Sequence, residues 1–222
     1  MASESDSAPK RSYQKRRRAE SEAQTRRRIT EAAAKLHGTL GPARTTIKGI
    51  ATEAGVQRAT VYRHFPDLES LFLACSTHWA SLNPPPDPDA WRQVTDPVIR
   101  LRQGLSELYA WYGWAEPMLT NVFRDATSVP AMTQPLEEFQ RHFQALHQAL
   151  MSRRRLSGRS RARVSAAIGH ALAFATWHSL ILEHELRPEE AVELMSMLVA
   201  AAPRLTSSTS NSRPIRAAPA PI

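Results

Sequence analysis

Cysteine is nearly absent from this chain. Cys75 is the only one in 222 residues, so no intrachain disulfide can form, and a reducing compartment is the expected setting. Set in an apolar run, Cys75 reads as a small core residue before it reads as a redox sensor. Apolar runs of the length that spans a bilayer are also missing, and the basic N-terminus is not followed by the apolar region of an export signal. The expected location is therefore cytoplasmic, with no membrane partner. No glycine-rich phosphate loop, nucleophile elbow or paired-carboxylate pattern occurs, which removes the usual sequence support for an enzyme. Histidines at 142, 147, 170, 178 and 184 never fall four apart, so no two share a helical face as metal ligands do. Neither a metal nor a cofactor is expected. No internal repeat is visible.

Charge is scarce in one sense only. From Pro66 onward Lys+Arg and Asp+Glu balance at 15 each, whereas the residues through Phe65 carry 14 against 6, a net of +8 that is the whole excess of the chain. A basic terminal segment on an otherwise neutral protein suits phosphate binding through counterion release.

That basic segment contains a helix-turn-helix that can be read residue by residue from Thr45 to Phe72, TTIKGIATEAGVQRATVYRHFPDLESLF. Thr45 and Thr46 offer caps, and Ile47, Ile50, Ala51 and Ala54 recur at helical spacing. Gly55 stops the helix by taking a left-handed conformation, with Val56 as the apolar plug of the turn. A second short helix, Gln57 to Phe65, buries Val61 and Phe65 while Ala59 permits close approach. Gln57, Arg58, Thr60, Tyr62, Arg63 and His64 are left outward or sideways, and nearly all can hydrogen-bond to bases or phosphates.

This stretch resembles the DNA-binding signature of the TetR family of bacterial transcriptional regulators, through the paired threonines, Ile50-Ala51, Ala54-Gly55-Val56, Thr60, the run Tyr62 to Phe65, Pro66 and Leu71-Phe72. With the preceding helix the likeness covers about a quarter of the chain. Two positions depart from the pattern. Gln57 stands where the family often has a capping serine, and Leu68 stands where it often has a lysine that meets a phosphate. The resemblance implies a DNA-binding set of Thr45, Thr46, Gln57, Arg58, Ala59, Thr60, Tyr62, Arg63 and His64. Within it Gln57 and Arg58 are expected to read bases, while Thr46, Tyr62 and His64 hold phosphates.

The expected architecture is all-α: an N-terminal three-helix helix-turn-helix DNA-binding domain joined through a connector helix to a helical-bundle ligand-binding and dimerisation domain. Residues 1–18, rich in Ser, Ala and charge, read as a disordered basic arm, and residues 19–66 as the DNA-binding domain with a first helix from about Glu20 to Leu40. Residues 67–202 read as the second domain. Asp67 caps the connector through Leu82, NPPPDPD from Asn83 to Asp89 is a loop, and Pro97, Pro117 and Pro135 each open a helix. Helices Arg161–Glu185 and Pro188–Ala202 close the domain, and residues 203–222 read as a disordered tail.

Aromatic residues are few overall but crowded in the second domain. The resemblance implies an inducer pocket there, for which the candidates are Trp79, Tyr109, Trp111, Tyr112, Trp114, Met118, Phe123, Phe143, Phe174, Trp177 and His178; at least half of these are expected to be ordinary core. The last helix is apolar on two faces, Ala191, Leu194 and Leu198 on one and Val192, Met195 and Val199 on another, and the helix before it is rich in small residues, Ala166, Ala167, Gly169, Ala171, Ala173 and Ala175. A homodimer through these two helices is expected, as it is for the family. The reading is a ligand-responsive repressor whose partners are a near-palindromic double-stranded DNA operator and a small, largely apolar or aromatic effector. Its rivals are a nonspecific architectural DNA-binding protein, and a helical ligand carrier or enzyme with an appended DNA-binding module.

Overall fold

The computed structural model describes residues 8–204, with side chains from residue 13. Among these residues the chain forms ten α-helices and no strand. α1 (Ala8–Thr39) starts well before the expected Glu20, so residues 8–18 are helical and not a disordered arm. The reason lies in composition: Pro9 sits in the first turn, where its missing N–H is harmless, and Gln, Lys, Arg, Glu and Ala that follow are good helix formers. Residues 1–7 and 205–222, the rest of the arm and most of the expected tail, lie outside the described residues. Pro203 and Arg204 form a short 3-10 turn with Ala202.

Two cores organise the helices. In the first, Ile29 and Ala33 of α1 meet Ile50 and Ala51 of α2 (Ile47–Glu53), Val61 of α3 (Arg58–His64), Phe65 just beyond it, and Leu71, Phe72 and Cys75 of α4 (Leu68–Leu82). Ala131 and Met132 from a turn far along the chain complete it. The second core joins α6 (Pro97–Asp125), α7 (Thr133–Met151), α8 (Gly158–Leu172), α9 (Phe174–His178) and α10 (Pro188–Ala201) through residues such as Leu105, Leu108, Leu146, Leu150, Ile168, Trp177 and Val199. α4 serves both, since Trp79 at its far end packs on the second core. The cores therefore do not divide at the expected boundary of residues 66 and 67.

Three expected elements differ. Pro88 and Asp89, read as loop, open the short α5 (Pro88–Gln93), capped by Asp87, whose carboxylate accepts from the Asp89 N–H at 2.8 Å. That helix exists to deliver Trp91, which lies flat on Gly104 of α6, where a Cβ would stand 3.0 Å from the indole, and donates through Nε1 to Glu107 at 2.6 Å. Pro117 does not begin a helix but sits inside α6. One lost N–H bond is tolerated where Ala115 and Leu119 on either side are buried.

The third difference lies in the helix read as Arg161–Glu185. It breaks at Ala173, whose extended backbone (φ −70°, ψ 133°) separates α8 from α9 and bends the path by 61°. A break in mid-core strands carbonyls, and α6 supplies their donors: Tyr109 Oη donates to the Ala171 carbonyl at 3.0 Å and Tyr112 Oη to the Leu172 carbonyl at 2.6 Å. Burial pushes both phenols well above their usual pKa, so they remain protonated donors. A π-helical turn, Ser179–Glu183, then leads toward α10.

The end of α1 is fastened to the end of α6. Asn121 Nδ2 donates to the Gly38 carbonyl at 2.8 Å, Arg124 Nη2 to the Leu40 carbonyl at 3.3 Å, and the Ala43 N–H to Asp125 Oδ2 at 2.9 Å. Gly41 turns the chain here at φ +94°, and a Cβ on it would collide with Arg124 Nη2.

Replacing Tyr112 by Phe should leave the Leu172 carbonyl buried without a donor and cost about 1–3 kcal/mol. Thermal unfolding should register this as a loss of about 2–4 °C per kcal/mol. An unchanged melting temperature would show that the bend does not depend on the hydroxyl.

Candidate nucleic-acid interface and cavity

Thr46 caps α2, its Oγ1 accepting from the Gly49 N–H at 3.0 Å, whereas Thr45 turns back to donate to the Gly41 carbonyl at 2.8 Å. Gly55 has φ +63° with nothing within 4 Å of a would-be Cβ, so its requirement is conformational and not one of space. Gln57 is the residue before α3 and makes no side-chain cap, which leaves its amide available. Gln57, Arg58, Ala59, Tyr62 and Arg63 are exposed along α3, with Thr60 and His64 half-buried beside them. All nine candidates thus lie on or next to the two short helices. Thr46 is exposed and Thr45 half-buried.

Arg26, one of the α1 arginines that could have flanked DNA, is instead committed. Its guanidinium lies 4.0 Å over the Phe65 ring and donates to the His64 carbonyl at 2.5 Å, at the negative end of α3. Burial, then Arg63 and Arg26, lowers the His64 pKa, and its Nε2 has no hydrogen-bond partner among the described residues. Arg44 and Lys48 are exposed near the start of α2. Sequence reasoning passed over both, although a lysine two residues beyond a capping threonine was a usable signal. Leu68 is exposed and offers no polar group.

A cavity of about 300 Å³ lies where the two cores meet. Its walls come from α1 (Ala34, His37), α4 (Phe72, Cys75, Ser76, Trp79), α6 (Trp111, Met118, Val122, Phe123) and α7 (Leu136, Glu138, Phe139, His142). Of the eleven expected ligand contacts, Trp79, Trp111, Met118 and Phe123 are brought together here. The other seven do not line it. Tyr109 and Tyr112 hold the α8–α9 break, Phe143, Phe174 and Trp177 pack around Tyr112, and Trp114 faces a shallow groove on the other side of Trp79. His178 sits outside, 3.4 Å from Glu183.

His37, Phe72 and Cys75 were missed as cavity residues, yet His37 follows Ile29 and Ala33 at steps of four on the buried side of α1. Its ring stacks on Phe72 at 4.6 Å with an interplanar angle of 7°, and its Nδ1 lies 3.4 Å from Cys75 Sγ. Burial lowers the His37 pKa to about 4 and pushes the Cys75 thiol up to about 12. Both are neutral at pH 7.

On the outer side, α10 turns Val192, Met195 and Val199 inward and leaves Leu194, Met197 and Leu198 exposed. Ala191 is fully buried and does not belong to the outer face expected for it. On α8 Ala162, Ala166 and Gly169 are exposed on one side, while Ala171 packs inward. Among the described residues no cluster of ligating side chains could hold a metal ion, and no single helix is long and apolar enough to cross a membrane.

Residues 29–75 match the family model described as bacterial regulatory proteins, tetR family. No curated protein matches the chain. Among solved structures, a TetR-like transcriptional regulator from Rhodococcus sp. RHA1 is similar at 17% identity over 80% of this chain and 94% of its own, with a TM-score of 0.56. The TetR family transcriptional regulator PfmR from Thermus thermophilus is similar at 21% identity over 79% of this chain and 97% of its own, with a TM-score of 0.51. These likenesses span both cores and establish the fold.

Acid should expose the buried His37. The unfolded chain takes this proton near pH 6.5 and the folded one only near pH 4, so between these values the unfolded state binds more protons. Stability present above pH 6.5 should therefore fall as pH drops toward 4, by about 3 kcal/mol in all. Denaturant unfolding at several pH values should show this loss in the native chain and a correspondingly flatter profile in His37→Phe; parallel profiles would exclude His37 as its source.

Proposed function

We propose that this chain, whose N-terminal domain is that of the tetR family of bacterial regulatory proteins and whose fold is that of TetR-like transcriptional regulators, is a cytoplasmic repressor. It binds a near-palindromic operator as a homodimer and is released by a small, largely apolar or aromatic effector held in the cavity. One observation carries the reading: the cavity wall includes α1 and α4, the two helices that also form the core beneath α2 and α3. A molecule packed there cannot leave the support of the recognition helix indifferent.

Dimerisation is supported by the exposed Leu194, Met197 and Leu198 beside the small-residue side of α8, a surface that invites close approach by a second copy. In such a dimer the two α3 helices must lie about 34–36 Å apart, or a multiple of that, to enter successive major grooves on one side of DNA. An effector that binds one spacing better than another shifts the population toward it, and a coupling of about 1–3 kcal/mol changes operator affinity roughly 5–150-fold. The architectural-binder reading would rest on the basic α1 alone, but a recognition helix with exposed Gln57 and Arg58 at its start favours sequence reading.

Competition between operator and random DNA tests this. Arg58→Ala should cost about 1–3 kcal/mol on the operator and relax preference at one base position. Tyr62→Phe should weaken operator and random DNA alike. If both substitutions reduce both affinities by the same factor, base reading by Arg58 is wrong.

A further inference from the structure

The polar groups around the cavity are few. Cys75 Sγ lies 3.2 Å from the Phe72 carbonyl and 3.4 Å from His37 Nδ1. With the thiol hydrogen on the nearer carbonyl, Nδ1 carries the ring proton and Nε2 is an acceptor. Nε2 has no hydrogen-bond partner among the described residues, although His37 is only 5% exposed and lines the cavity. At the opposite wall, His142 Nε2 lies 3.1 Å from the Pro86 carbonyl, to which it can only donate, so in the neutral ring Nδ1 is again an acceptor. Glu138 adds a carboxylate, with Arg141 4.0 Å away on the outer side. The Ser76 and Thr77 side chains are neutral, and no lysine or arginine lines the cavity.

We propose that the cavity selects a ring-bearing, mostly apolar ligand that presents a hydrogen-bond donor, a hydroxyl or N–H group, to His37 Nε2, and rejects carboxylates of the same size. This rests on the reading of the cavity as the effector site. A carboxylate would bring negative charge into a cavity lined by no lysine or arginine, beside the Glu138 carboxylate. A donor group meets an acceptor that is otherwise unpaired. Burial keeps His37 neutral, its pKa lowered to about 4, so that one ring nitrogen is a lone pair at physiological pH. Because His37 belongs to α1, this hydrogen bond is made directly to the DNA-binding unit.

Three probes on one skeleton separate the possibilities: 2-naphthol, 2-methoxynaphthalene and 2-naphthoate, titrated calorimetrically into the full chain at pH 7.5. The naphthol should bind roughly 3–10-fold more tightly than the methyl ether, as one net hydrogen bond implies, and the naphthoate should give no measurable binding. His37→Phe should abolish the naphthol advantage while retaining methyl ether binding. In the unmodified protein the ¹⁵N resonance of His37 Nε2 should sit at the position of an unprotonated nitrogen and move on adding naphthol, which tests the assignment even if the variant fails to fold. Equal binding of naphthol and ether, preference for naphthoate, or a naphthol advantage that survives in His37→Phe would overturn the donor rule and leave the cavity standing. Failure of all three probes to bind would instead overturn the effector cavity itself.

Discussion

The arrangement depends on the fastening between the ends of α1 and α6. Asp125 is 5% exposed, yet it keeps its charge: Arg124 beside it, and the Ala43 N–H it accepts from, hold its carboxyl below the usual carboxylate range. The Gly41 turn brings the backbone close enough for these bonds, and any side chain there would strike Arg124. This joint fixes the end of α6, whose Met118 also packs against Gly38, as a wall of the cavity beside α1. A buried carboxylate without its partners is costly, so the joint either holds as a unit or fails as one.

From that joint the path to DNA is short. α4 contributes Leu71, Phe72 and Cys75 to the core beneath the recognition helix and Trp79 to the bundle, so it cannot tilt in one core without disturbing the other. The sequence reading made α4 the sole connector. The structure adds α1, which touches the cavity through Ala34 and His37 and grips the end of α3 through Arg26. Two helices therefore run from cavity to interface, and both contact the recognition unit.

How much of this was legible beforehand varies with the kind of signal. The helix-turn-helix was readable because its constraints are local: a capping threonine, a glycine at positive φ, and an apolar pair on each short helix act within a few residues. The all-helical bundle was readable from periodicity. Pro117 misled because a proline normally ends a helix, and only the burial of Ala115 and Leu119 carries α6 through it. The break at Ala173 carries no local signal at all, being made possible by Tyr109 and Tyr112 some 60 residues away. Cavity contacts were partly legible for the same reason. Composition named the aromatic residues, but whether a ring lines a space or fills one is decided by partners distant in sequence, which is why Trp79 and Trp111 line the cavity and Tyr112 became a structural donor.

The central claim is that a molecule in the cavity changes the separation of the recognition helices. Thr52 is exposed on α2, and the native Cys75 is buried and its thiol pushed up to about 12, so a spin label can be placed selectively at Thr52→Cys. The distance between labels in the two subunits of the proposed homodimer, measured free, on operator DNA and with a saturating cavity ligand such as 2-naphthol, tests the claim directly. The account predicts that the ligand moves the distance away from its DNA-bound value while operator affinity falls. A ligand that fills the cavity and weakens operator binding with the label distance unchanged would contradict it.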